Sequence, residues 1–317
     1  MTTENEHVED EVDSVIMKSL RNATKSGDVE TLKTLLISSE AKNIDTLHKE
    51  GKTLIFIAAK NGHVPVIELL VQMGSQAIDT PNNYGWTPLY MAAKYGHYQT
   101  IKTLIQLGSN AIDTPDKYGC TPLYAAASMG RATVIELLVL LGTKSIDTPT
   151  NRGWTPVFSA AWEGSVPAIE TLIRLGSKTI DTPEKNGCTP LHAAAKHGHA
   201  QAIETLVRLG SKTIDTPDIF GCTPLHMAAL SKYTPAIETL VRLGSQAINI
   251  PDKDGYTPID LSFQRRGVSE VTKVLGALGS ISHYTEEKRI PESYIAKVRY
   301  RVHFSQSLVS RLLFRII

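Results

Sequence analysis

Apolar and polar residues follow one another along this chain in a unit that recurs every 34 residues. Residues 189–222 show the unit plainly. Leu191, Ala194 and Ala195 make the apolar stripe of a short helix, and Ile203, Leu206 and Val207 repeat at i, i+3, i+4 in a second one. Thr189 suits the N-cap and Pro190 the first helical position, where a missing N–H costs nothing. Gly198 ends the first helix in the left-handed conformation, and Gly210 ends the second after a span of about Ala200–Leu209. Ser211–Cys222 carries Pro217, Asp218 and Gly221, residues that build turns. The beat is kept by Thr87-Pro88, Thr121-Pro122, Thr155-Pro156, Thr189-Pro190, Thr223-Pro224 and Thr257-Pro258, with Thr53-Leu54 one register earlier.

A period of this length predicts a stacked solenoid with one continuous core. The strings TPLHAAAKHGH and IETLVRLG, followed by D-x-x-G, resemble the ankyrin repeat family over residues 18–279. The resemblance implies an all-α solenoid of eight antiparallel helix pairs with projecting β-hairpin-like loops. Its units fall at 18–52, 53–86, 87–120, 121–154, 155–188, 189–222, 223–256 and 257–279. One departure is regular: the common ankyrin unit has 33 residues, and here an extra residue lies between the second helix and the loop, an expected source of altered superhelical curvature. The first and last units lose parts of the motif and gain polar residues, as solenoid caps do. Lys232 stands where the other units place the first helix's terminal Gly, so a distorted or mobile turn is expected at 230–235.

The net charge of +1 gives no overall bias toward nucleic acid or acidic membranes, but the ends differ. Residues 1–16 hold six acids and no Lys or Arg, and residues 1–17 are expected to be disordered. Residues 280–317 hold seven Lys or Arg against three Glu. The start has no basic region followed by an apolar run, and no stretch approaches about 18 apolar residues. A soluble cytoplasmic chain is the expectation, with a nuclear or host-cell setting left open. Cys120, Cys188 and Cys222 share one unit position, and units stacked about 8–10 Å apart keep them too distant for a disulfide. They read as reduced loop thiols.

His192, His197 and His199 look clustered, yet the TPLH and GH positions recur as His226, His63 and His97; the family resemblance makes the TPLH histidine a structural hydrogen-bonding residue. Asp79, Asp113, Asp147, Asp181 and Asp215 precede Thr-Pro or its equivalent and read as turn residues. Neither phosphate-binding glycine motif occurs. No catalytic residue, cofactor, metal or small-molecule substrate is expected.

Residues 169–183 and 203–217 differ at one position, which marks the second helix and its exit as scaffold. Variation gathers at the loop tip, after the loop glycine, and at the end of the first helix. In ankyrin proteins these positions face the partner. The candidates are Tyr84, Trp86, Lys94, Tyr95, Tyr118, Met129, Arg152, Trp154, Trp162 and Glu163, a set rich in the Trp, Tyr and Arg that dominate interface hot spots. The same positions continue as Lys185, Asn186, Cys188, Lys196 and His197, then Ile219, Phe220, Leu230 and Ser231. For Trp86 and Trp154 a second role is open, bracing the loops against neighbouring units.

After Pro291 the tail alternates Tyr294, Ala296, Val298, Tyr300, Val302 and Phe304 with basic and polar residues, a strand pattern. Leu308, Leu312 and Ile316 then mark a helical stripe beside Arg311 and Arg315. Three readings compete: the tail covers the last unit, docks a second protein in a two-part adaptor, or contacts nucleic acid or an anionic membrane. The expected partner of the array is another protein.

Overall fold

The computed structural model describes residues 3–38, 44–262 and 269–279; the tail from 280 onward lies outside them, as do the expectations placed on it. Sixteen α-helices among the described residues run as antiparallel pairs. They are α1 (Thr3–Ser26) with α2 (Val29–Ser38), α3 (Leu54–Asn61) with α4 (Val64–Gln72), α5 (Pro88–Tyr95) with α6 (Tyr98–Gln106), and α7 (Pro122–Ser128) with α8 (Ala132–Leu140). Then follow α9 (Pro156–Trp162) with α10 (Val166–Arg174), α11 (Pro190–Lys196) with α12 (Ala200–Arg208), α13 (Pro224–Ser231) with α14 (Thr234–Arg242), and α15 (Pro258–Ser262) with α16 (Glu270–Ala277). Odd-numbered helices pack on odd, and even on even, so each pair touches the next along both rows.

Helix α1 begins at Thr3, so residues 3–17, expected to be disordered, stand in a helix.

Local chemistry sets the helix ends. Thr53, Thr87, Thr121 and Thr155 each cap their helix, the hydroxyl accepting from the backbone N–H three residues on at 3.1–3.2 Å. At Gly198 two demands coincide: φ is +75°, and a Cβ there would stand 2.4 Å from the Tyr233 ring of the next repeat. Lys232 meets the conformational demand without being Gly. Its φ of 65° and ψ of 35° are those of an ordinary left-handed cap, and its N–H still reaches the Ala229 carbonyl at 3.2 Å. The distortion expected at 230–235 is absent because the strain is held within a single residue's backbone angles.

The core runs unbroken from Leu20 to Leu275. Leu191, Ala194, Ala195, Ile203 and Leu206 are fully buried, as their counterparts are in neighbouring repeats. Each large aliphatic side chain so buried stabilises by about 1.5–3 kcal/mol.

The lengthened segment after each second helix is where neighbouring repeats are tied. Ser211 donates its hydroxyl to Asp181 at 2.5 Å and the Lys212 N–H donates to the other oxygen at 3.0 Å. The arrangement recurs as Asp45 with Ser75, Asp79 with Ser109, Asp113 with Thr143, Asp147 with Ser177 and Asp215 with Ser245. The recurrent aspartates are therefore clamps between repeats as well as turn residues. For Asp113, burial raises the pKa, but hydrogen bonds from Thr143, Lys144 and Ser145 outweigh it and leave the group below its ordinary value.

Candidate partner-binding surface

The projecting loops are built on one plan. A side chain that can accept, Asn82, Asp116, Thr150, Glu184, Asp218 or Asp252, takes the backbone N–H groups two and four residues on. Its own N–H reaches the carbonyl four residues later, closing a hairpin-like tip. No strand forms among the described residues, apart from one isolated bridge between His48 and Lys52. Adjacent tips are joined through the backbone: Lys117 N–H to Tyr84 O at 3.2 Å, Asn151 to Tyr118 at 2.9 Å, Lys185 to Arg152 at 3.3 Å and Ile219 to Asn186 at 3.0 Å. The tips thus make a continuous wall.

Behind that wall lies a second, aromatic cluster, separate from the main core. It contains Phe56, Trp86, Tyr90, Tyr124, Trp154 and Phe158, with Tyr84, Tyr95, Tyr118 and Trp162 packed against it. Trp86 is 3% exposed and lies parallel to Tyr90 with ring centroids 5.9 Å apart. Its indole Nε1–H donates to Asp116 Oδ2 of the next repeat at 3.0 Å. Burial lifts the Asp116 pKa, against the pull of its N–H donors. Trp154, buried as well, contacts Phe158 and Trp162 at centroid distances of 5.2 and 5.0 Å. Both tryptophans brace the loops.

The candidate residues therefore divide. Trp86, Trp154 and Lys94 are buried; Tyr84, Tyr95, Tyr118, Arg152 and Trp162 are half-buried along the rim; Met129 and Glu163 are exposed. Lys94 Nζ lies 5.1 Å from the Trp86 ring centroid and 5.7 Å from that of Tyr95. Burial, followed by the nearby Lys60 charge, brings the Lys94 pKa down to about 8. Partial desolvation raises that of Glu163.

Lys196 and His197 join the site more closely than the choice of ten candidates implied. The Trp162 ring is covered from one side by His197, centroids 4.1 Å apart, and carries Lys196 Nζ 4.3 Å from its centroid. Burial lowers the Lys196 pKa to about 7. The available signal was position: both occupy the variable end of the first helix.

His192, His226, His63, His97, His199 and the three thiols are accounted for by packing. The Thr189 N–H donates to His192 Nδ1 at 3.1 Å, which fixes the proton on Nε2, and Nε2 donates to the Cys222 carbonyl at the far end of the same repeat at 3.0 Å. His226 repeats this with Thr223 and Tyr256. His63, His97 and His199 bond through Nε2 to the carbonyls of Lys25, Lys60 and Trp162. Burial raises the pKa of all three cysteines, so they stay as neutral thiols. Among the described residues no group of three His, Cys, Asp or Glu is placed to hold a metal, and no helix is long and apolar enough to cross a membrane.

Comparison with known proteins agrees with this geometry. The family model for ankyrin repeats in three copies matches in overlapping windows, residues 20–115, 79–148, 106–183, 140–216 and 177–254. The chain belongs to the ankyrin repeat family. Among solved structures, the human ASB11 ankyrin repeat domain is similar to it with a TM-score of 0.61 and 23% sequence identity, over 71% of this chain and 97% of that one. At that identity the likeness concerns the fold. No curated protein sequence matches.

Proposed function

We propose that this chain is a non-enzymatic scaffold that binds another protein through its loop tips and the inner ends of its first helices. Ankyrin repeats are in general protein–protein interaction modules, and the fold has a solenoid's extended surface. The observation that carries the reading is the half-exposed rim of Tyr84, Tyr95, Tyr118 and Trp162 set on a rigid, buried aromatic base. Rigid aromatic side chains lose little entropy on binding and cluster at interface hot spots.

The test compares partner capture by the full chain with capture by two variants. Tyr95→Ala/Met129→Ala/Trp162→Ala strips the rim. Arg174→Ala/Arg208→Ala/Arg242→Ala removes the exposed ion pairs that link Arg174 to Glu136, Arg208 to Glu170 and Arg242 to Glu204 on the second-helix face. The rim variant is expected to lose its specific partners and the second-helix variant to keep them, with melting profiles confirming that both stay folded. Equal capture by all three contradicts the proposal.

A further inference from the structure

The tip wall is basic along its middle. From the third to the sixth helix pair the tips carry the cations Lys117, Arg152 and Lys185, one in each successive tip, and one half-buried acid, Glu184, whose carboxylate is taken up by the N–H groups of its own loop. At the adjoining inner helix ends stand the buried Lys94 and the half-buried Lys196, each over an indole ring, with the exposed Glu163 between them. The acids under the wall, Asp116 and Glu184, are turned into the loops, where they accept the N–H groups of Tyr118, Cys120, Asn186 and Cys188. Glu136, Glu170 and Glu204, by contrast, lie on the second-helix face, paired with arginines. Basic charge thus predominates along the tips, and paired charges of both signs lie on the second-helix face.

Spacing adds a second constraint. The cations recur once per repeat, and packed helices stand about 8–10 Å apart. A segment in the polyproline-II conformation advances about 3.1 Å per residue with three residues per turn, so a carboxylate at every third position falls on one face and keeps step with them. The tips also anchor the chain that would bear these contacts: their backbones are already bonded one to the next, which holds Lys117, Arg152 and Lys185 on a fixed line.

We propose that the wall from Lys117 to Lys185, with the adjoining helix end at Lys196, receives an acidic segment of a partner protein in the polyproline-II conformation, with a carboxylate at about every third residue. The inference rests on the partner-binding reading above and specifies its chemistry. A protein segment fits better than a nucleic acid. Glu163 opposes a uniformly charged phosphate backbone, whereas a peptide can set a neutral residue there, and Trp162 and Met129 offer apolar contact beside it.

The experiment uses the full chain and three labelled probes: a peptide of Asp-Leu-Ser triplets, an isomer with the same residues but its aspartates in one block, and an oligothymidylate of matched charge. Binding is followed by fluorescence anisotropy at low and moderate salt. The expected result is that the triplet peptide binds about tenfold more tightly than its isomer and weakens with salt. Lys117→Glu/Arg152→Glu/Lys185→Glu, exposed or half-exposed changes checked for an unaltered melt, is expected to weaken it by a further factor of about ten or more. Equal affinity for the two peptides, no binding of either, indifference to the triple reversal, or preference for the oligothymidylate overturns the inference. Partner capture by the same triple-reversal variant separates the two claims. If it keeps partners that the rim variant loses, the acidic-segment inference fails and the scaffold reading stands; if neither variant loses any, both fail.

Discussion

Lys232 is a single residue with a measurable cost. Gly27, Gly62, Gly96, Gly130, Gly164 and Gly198 occupy its place in the preceding repeats, and all share its positive φ. A side chain in the left-handed region costs on the order of 1–2 kcal/mol. Lys232→Gly is therefore expected to stabilise the array by about 1 kcal/mol, less the larger chain entropy that glycine has when unfolded. Urea denaturation of the two proteins checks this, and an unchanged or lower midpoint contradicts it.

His192 gives a second residue-scale prediction. Burial brings its pKa down to about 4, and burial lowers that of His226 too. The unfolded histidine takes up its proton near pH 6.5 while the folded one remains neutral. Stability is then fully present above about pH 6.5 and falls as pH drops toward the folded value, by up to about 1.4 kcal/mol per unit per histidine. Phe56 and Phe158 fill the equivalent place in other repeats, so the fold accommodates phenylalanine there. His192→Phe/His226→Phe is expected to flatten the pH dependence of the urea midpoint between about pH 6.5 and 4.5. An unchanged slope excludes these histidines as its source.

At the scale of elements, the segment that makes the repeat 34 residues long is explained by what it bonds. Ser211→Ala removes one hydroxyl bond to the Asp181 carboxylate while leaving the Lys212 N–H in place. A loss of about 1–2 kcal/mol is expected, as for hydrogen bonds to charged groups that are partly solvated. In a solenoid it appears locally, as faster hydrogen exchange in α11, α12 and their neighbours. Exchange that accelerates evenly along the chain contradicts a local clamp. Trp86→Ala, which empties the stack on Tyr90 and strands the Asp116 oxygen, is expected to cost about 3–5 kcal/mol.

The helices and their ends were legible in the sequence, because Thr-Pro, Leu-x-x-Ala-Ala and Gly state caps and stripes directly. The clamp was not, since Asp before Thr-Pro has a sufficient local meaning as a turn. Nor was the burial of Lys94, while for Trp86 and Trp154 the sequence left bracing and contact both open. Comparing repeats marks variable positions, and variation was read as contact. Here Trp86 varies together with what surrounds it: an indole goes with Tyr90 and the Asp116 acceptor, and a thiol occupies the same place at Cys222 beside His226 and Asp252. Coupled packing between repeats leaves the same trace as selection for a partner. The rim candidates pack against the same cluster but keep part of each ring uncovered.

Across the whole molecule, two rows of helices, a line of carboxylate clamps and a wall of bonded loop tips all repeat in step. Repetition fixes the shape, and departures from it at Met129, Trp162, Glu163 and His197 give the tip side its own character. The most direct measurement is hydrogen exchange of the full chain, free and with its captured partner bound. Protection is expected at the loop tips 83–84, 117–118, 151–152 and 185–186 and at the first-helix ends 94–95, 128–129, 162–163 and 196–197. Protection confined to the second helices α10, α12 and α14, with the tips unchanged, would contradict the account.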